Sequence, residues 1–354
     1  MRLAWRRAGG SPATMRGMNR TQPDERQHRF PAARIISRLI NALSTRVPPI
    51  RHLVEERDCF RAECELLKRE RDELAASLNT VRFVPPGHFY SPIPALDEVA
   101  RDEERIFRVP DVIPGVDLNT SGQLRLLDEF AQYYAELPFR AEKIPERRYH
   151  FENPNYSYSD GICLYSMIRH AKPKRIVEVG SGYSSCATLD TNEIFFENEI
   201  LCAFIEPYPD LLFSLLRQGD ADRIEVLRCP LQDVDLVRFE ELQDSDILFI
   251  DSTHISKVGS DVNYLMFEIL PRLRSGVYIH VHDIFYPFEY PRSWVFEGRA
   301  WNEAYLLRAF LQYNDAFAVV FFNTYLELFF ADRVRQAMPL CLKNPGGSLW
   351  LRRK

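Results

Sequence analysis

Hydrophobic and polar positions alternate along this chain in three successive styles, and each predicts a different kind of structure. From Leu53 an apolar residue recurs every seventh position, at Leu53, Phe60, Leu67, Leu74 and Val81, with Cys64 and Leu78 at the companion position and charged residues elsewhere. This heptad spacing predicts a long amphipathic or coiled-coil helix over residues 51–84. Arg57 and Arg71 fall on the other companion positions, which leaves open both a self-associating homo-oligomer through residues 53–81 and a helix packed on its own domain. Pro85, Pro86 and Gly87 end the segment.

Residues 85–150 follow a second style. The run from Gly87 to Pro94 is too rich in proline for regular structure and too aromatic for a solvated linker. It predicts a strap packed on the core, with His88 and Tyr90 as candidates for a substrate entrance. Leu124, Leu127, Phe130, Tyr134 and Leu137 then recur at helical spacing and predict a lid helix over 122–137.

From residue 151 to 354, short apolar runs alternate with helical patterns. The runs 175–179, 201–205, 224–227, 246–250, 276–281, 317–322 and 348–351 read as strands, and 162–170 and 306–311 read as helices. The pattern predicts an α/β fold, a doubly wound and mostly parallel seven-stranded sheet with helices on both faces, preceded by a helical extension. Residues 1–50 begin with five Arg and no acid in the first twenty positions but no apolar signal core. They are expected to be disordered, or to lie partly upstream of a start at Met15 or Met18.

Charge and cysteine usage narrow the function. A net charge of −5, from 45 basic and 50 acidic residues, argues against a nucleic-acid binder, whose footprint would be basic. Small or neutral substrates fit better. Seven cysteines without a Cys-x-x-Cys pair suggest reduced thiols and a cytoplasmic setting. No apolar run approaches the roughly 20 residues of a membrane span.

The stretch most constraining for function is Arg175 to Ser185, an apolar strand that ends in Gly180-Ser181-Gly182 and then Ser184 and Ser185. Two glycines let backbone approach a ligand, and the serines can cap the next helix. The glycine spacing is a near miss to the dinucleotide fingerprint, which is weak by itself. Glu178 is more telling, because a carboxylate inside a strand of Ile and Val needs a cationic or donor group beside it. Glu178-x-Gly180-x-Gly182 resembles the first motif of the class I S-adenosylmethionine-dependent methyltransferases, and residues 150–353 resemble their small-molecule and sugar O-methyltransferases. The resemblance implies that Glu178 helps hold the methionine end of S-adenosylmethionine and that Gly180, Ser181 and Gly182 form the cofactor turn. It also places Asp233 or Gln232 at the adenine ring.

Glu206, 24 residues after Gly182 at the end of the second strand, is placed to accept hydrogen bonds from ribose hydroxyls of either a nicotinamide dinucleotide or S-adenosylmethionine. A second cluster, Asp251 to His254 and His280 to Asp283, ends two strands that are adjacent in the family's usual order. Asp251 and Asp283 at neighbouring tips would repel unless a proton or cation sits between them, and Mg2+ or another divalent cation on these two acids is one resolution, as in metal-dependent relatives. Without metal, His282 or His254 is the candidate general base for a substrate hydroxyl. His280 reads as a core histidine. Tyr156, Tyr158 and Asp160 are candidates to close over the cofactor, and the aromatic loop 284–301 suits a sugar or ring substrate. These residues point to O-methylation of a small-molecule or saccharide hydroxyl. The competing readings are a hydroxylase or oxidoreductase using the His and Asp cluster, and a non-catalytic nucleotide-binding scaffold.

Overall fold

The computed structural model describes residues 48–79 and 83–354, together with Ile36, Arg38, Leu39 and Ala42. The chain divides between Phe83 and Val84 into two units. In the first, Pro48–Asn79 is one 32-residue helix, with Leu53, Phe60, Leu67 and Leu74 exposed. Pairs such as Arg51 with Glu55 at 2.9 Å support its exposed surface. Val81 and the expected disordered start of the chain lie outside the described residues.

The second unit is built on seven strands: β1 Arg175–Val179, β2 Leu201–Ile205, β3 Glu225–Leu227, β4 Ile247–Ile250, β5 Tyr278–Val281, β6 Phe317–Phe322 and β7 Leu349–Arg353. Their order is β3-β2-β1-β4-β5-β7-β6. The first five strands pair parallel, while β7 runs antiparallel between β5 and β6. Parallel strands covered on both faces need near-continuous apolar sequence, and β4 and β5 are buried at every position.

One row of side chains crosses the sheet: Phe204, Glu178, Phe249, His280 and Trp350 are register partners. His280 stacks on Phe249 at 4.0 Å, meets Trp350 edge-on at 4.8 Å and shares a 2.8 Å hydrogen bond between its Nε2 and Ser348 Oγ. Burial pushes its pKa well below the usual histidine value, as befits a core residue.

Helices Tyr158–Ala171 and Tyr183–Phe196 pack on each other. The helix anticipated as a lid is Thr120–Tyr134, and it belongs to the helical layer instead. It packs on β6 and on the 158–171 helix, burying Leu126, Leu127 and Phe130. Gln123 ties it down by accepting from Phe322 N at 2.8 Å and donating to Leu118 O at 2.6 Å. Its apolar stripe was legible in sequence, but a stripe does not say which surface it covers. The segment before the 158–171 helix is anchored by buried Arg148, whose guanidinium bridges Asp190 and Asp220 at 2.7 and 2.5 Å.

Candidate active site

The parallel ladder continues one residue past each strand. Gly180 N donates to Ile205 O at 3.0 Å, Glu206 N to Leu227 O at 3.0 Å, Asp251 N to Val179 O at 2.8 Å and His282 N to Ile250 O at 2.8 Å. Backbone pairing therefore fixes Glu206, Gly180, Asp251 and His282 in one row at the carboxyl edge of the sheet, where open α/β sheets bind ligands. The residue in register beside Asp251 is His282. Asp283 lies one step beyond, and both it and His254 adopt positive φ, 57° and 60°, which turns the chain sharply away from the strands.

Beneath the row, the donors that Glu178 requires are hydroxyls. Ser184 Oγ and Ser185 Oγ donate to its Oε1 at 2.6 and 2.8 Å, and Ser185 Oγ accepts from Gly182 N at 3.1 Å. Burial pushes the Glu178 carboxyl up to about 8 against these bonds, so it is neutral near pH 7, and its Oε2 has no partner. Glu178 lines neither cavity described below; it braces the turn and the helix start from underneath. Gly180 has φ 84°, and a Cβ there would stand 2.2 Å from the Asp251 carbonyl oxygen. The glycine is demanded by the neighbouring backbone, where the sequence suggested a ligand passing.

Two cavities meet on this edge. The first, about 370 Å³, is lined by Gly180, Glu206, Tyr208, Gln232, Asp251 and Lys257 among others. In the short turn Leu231–Asp233, Asp233 is exposed and does not line this cavity, whereas Gln232 does; Gln232 Nε2 donates to Gly259 O at 2.7 Å. Ser181 and Gly182 do not line the cavity. The second, about 730 Å³, is polar and includes Glu152, Asp160, Asp251, His282, Asp283 and Trp294. Asp251 lines both. Tyr156 is buried with its ring 5.1 Å from His282, and Tyr158 OH donates to Glu152. Thus Asp160, Tyr156 and Tyr158 gather around the second cavity, apart from the first. His88 and Tyr90 line neither cavity.

His254 resolves the repulsion between the acids. Its Nε2 lies 3.3 Å from Asp251 Oδ1 and 3.6 Å from Asp283 Oδ2, and its Nδ1 lies 2.9 Å from Glu303 Oε2. Trp301 covers the ring at 4.4 Å. Burial would depress this imidazole, but hydrogen bonds to Asp251 and Glu303 outweigh it and push the pKa up to about 10. Asp251 is correspondingly lowered, with His282 and His254 overcoming its burial. His282, whose Nε2 is 3.5 Å from Asp283 Oδ1, is raised despite burial by Asp283, Asp251 and Asp160. The raised His254 imidazole is thus one cationic partner within reach of both acids. Among the described residues no group of three or more His, Cys, Asp or Glu is arranged to hold a metal ion. Glu303 is the site residue that sequence did not single out. Nothing in its local pattern marks it, since it reaches His254 across 49 residues.

The family model that matches this chain is that of a methyltransferase domain, and it spans residues 177–284, from β1 to just past Asp283. That span holds the glycine turn, Glu206, Asp251 and His282 together. This stretch, under a third of the chain, matches a methyltransferase domain. The chain is 41% identical over 174 residues to an uncharacterized protein of Archaeoglobus fulgidus, covering 47% of the chain and 76% of that protein. Solved structures similar to it include the SAH-bound methyltransferase PaMTH1 of Podospora anserina, with 15% identity, 77% of this chain and 99% of that chain covered, and a TM-score of 0.37. Another is the O-methyltransferase TomG of Streptomyces achromogenes in complex with SAM, with 15% identity, 73% and 96% covered, and a TM-score of 0.37. Among the described residues no helix is long and apolar enough to cross a membrane.

Proposed function

We propose that this methyltransferase transfers a methyl group to a hydroxyl oxygen of a small molecule or saccharide held in the 730 Å³ cavity. The observation that carries the reading is Asp251, which lines both cavities beside His282. A group bound in one cavity therefore meets a group bound in the other at a single carboxylate. The smaller cavity suits a nucleoside: Glu206 offers a carboxylate for ribose hydroxyls, and Tyr208, Pro230 and Leu231 offer apolar walls for a base. Bound there, S-adenosylmethionine supplies an electrophilic methyl group.

This chain's residues do the rest. Asn153, Asn155, Ser157 and Asn344 line the larger cavity with Trp294, a combination of amide and hydroxyl groups with an aromatic face that suits a polyhydroxylated acceptor. His282 takes the proton from the acceptor hydroxyl, and Asp283 and Asp251 stabilise the resulting imidazolium. His254, fixed by Glu303, keeps the two acids together without competing for the acceptor's proton, because it already carries its own. Positioning two reactants on one rigid sheet edge supplies much of the rate.

Isothermal titration with S-adenosylmethionine, followed by transfer of labelled methyl to a panel of glycosides and phenols, tests the reading. Binding with transfer to a hydroxyl acceptor supports it. Failure to bind S-adenosylmethionine would remove it.

A further inference from the structure

Behind the acceptor cavity lies a third one, of about 480 Å³, whose walls are mainly apolar: Phe107, Phe285, Tyr286, Tyr290, Leu328 and Leu342 among others. Its size and lining are those of a small-molecule site. Two features place it directly against the acceptor cavity. Phe285 lines both, and the loop 344–347 presents Pro345 to the apolar side and Asn344, Gly346 and Gly347 to the polar side.

The charged groups around this third cavity are already engaged. Arg292 holds Glu103 through two bonds of 2.7 and 2.8 Å. Glu289 Oε1 accepts from Tyr290 N at 3.0 Å and from Tyr305 OH at 2.5 Å. Glu327 accepts at Oε1 from Ser159 Oγ at 2.9 Å, next to Asp160 of the acceptor cavity, while its Oε2 is buried without a partner. Burial pushes this carboxyl up to about 8, so near neutral pH it is an uncharged donor. Arg292 is thus paired and Glu289 and Glu327 are each held at Oε1, in a lining that is otherwise mainly apolar. It favours an apolar group that carries at most one hydrogen-bond acceptor.

We infer that the 480 Å³ cavity is a second acceptor subsite, which receives an uncharged apolar portion of the substrate while its polar, methyl-accepting portion occupies the 730 Å³ cavity on the other side of Phe285. The substrate class is therefore amphipathic: a hydroxyl-bearing head joined to an alkyl or aromatic tail. This inference rests on the acceptor assignment above but is tested separately from it.

The test uses the full chain and a series of n-alkyl β-D-glucosides from methyl to octyl, titrated below micelle-forming concentrations. Affinity is expected to rise by about 4-fold per added methylene, the value for burying one CH2. Val109 and Leu328 stand at the cavity's exposed rim, 46% and 53% exposed, so Val109→Trp and Leu328→Trp fill the mouth without disturbing the core. Each variant is expected to flatten the chain-length dependence and leave S-adenosylmethionine affinity unchanged. A flat series in the wild type, or a slope retained in both variants, overturns the subsite. Loss of S-adenosylmethionine binding by the wild type would instead overturn the methyltransferase site, whatever the glucoside slope.

Discussion

Glu303 Oε2 stands 2.9 Å from His254 Nδ1, and both side chains are almost wholly buried. This pair bears on the charge of the site, because it orients an imidazole, raised to about 10, whose other nitrogen faces Asp251 and Asp283. Removing one partner of a buried ion pair leaves the other uncompensated, so Glu303→Gln is expected to cost about 3–5 kcal/mol of stability in denaturant titration. A loss below about 1 kcal/mol would show that the pair is not held as an ion pair.

The same pair sets a pH signature. His254 is raised from 6.5 to about 10, so its contribution is fully present below pH 6.5 and is lost as pH rises toward about 10, since the unfolded chain binds fewer protons over that window. Thermal melting of the wild type should decline across it. In Glu303→Gln the decline should be shallower, and identical profiles in the two proteins would contradict the assignment.

Because His254 supplies the cation, chelation by EDTA should leave wild-type methyl transfer unchanged. His254→Ala removes that cation and leaves Asp251 and Asp283 to repel, so this variant is expected to lose activity and to gain affinity for magnesium or manganese. Loss of wild-type activity in EDTA, restored by either ion, would return the site to metal-dependent chemistry.

His282→Ala is expected to keep S-adenosylmethionine affinity while slowing transfer by about 10² to 10⁴, the usual worth of a general base. The surrounding acids raise His282 above 6.5, and only its neutral form accepts a proton. The acidic limb of kcat/KM should therefore lie above pH 6.5 in the wild type and disappear in the variant. Survival of that limb in His282→Ala would assign the base to another group.

Glu206→Ala should weaken S-adenosylmethionine by about 10- to 100-fold, the loss of a charge-assisted hydrogen bond, with an unchanged melting temperature. Gly180→Val should behave differently: its side chain meets the Asp251 carbonyl oxygen and a positive φ, so both folding and binding suffer. Unchanged affinity in Glu206→Ala would move the ribose elsewhere.

Deleting residues 1–83 should leave residues 84–354 folded and lower the mass measured by light scattering, if the exposed heptad face of Pro48–Asn79 self-associates. An unchanged mass would place any oligomer contact in the second unit.

The sequence by itself determined the strand succession and the residues at the strand ends. Apolar runs of four to six residues between helical patterns read as covered strands, of which the first five pair parallel, and their register carries Gly180, Glu206, Asp251 and His282 to one edge. What periodicity could not supply was direction and partner. The 120–134 stripe was legible as helical, yet only packing decided that it covers β6. Asp233 and Gln232 are neighbours in sequence, and one turn of backbone chose between them. Glu303 and His254 became a pair because the loop before Glu303 folds back on the His254 carbonyl, which accepts from Asn302 N and Glu303 N at 3.1 and 3.2 Å. An interaction spanning 49 residues leaves no period in the chain. Tertiary structure therefore decided that the His254 ring, held by a buried acid, stands 3.3 and 3.6 Å from the two carboxylates.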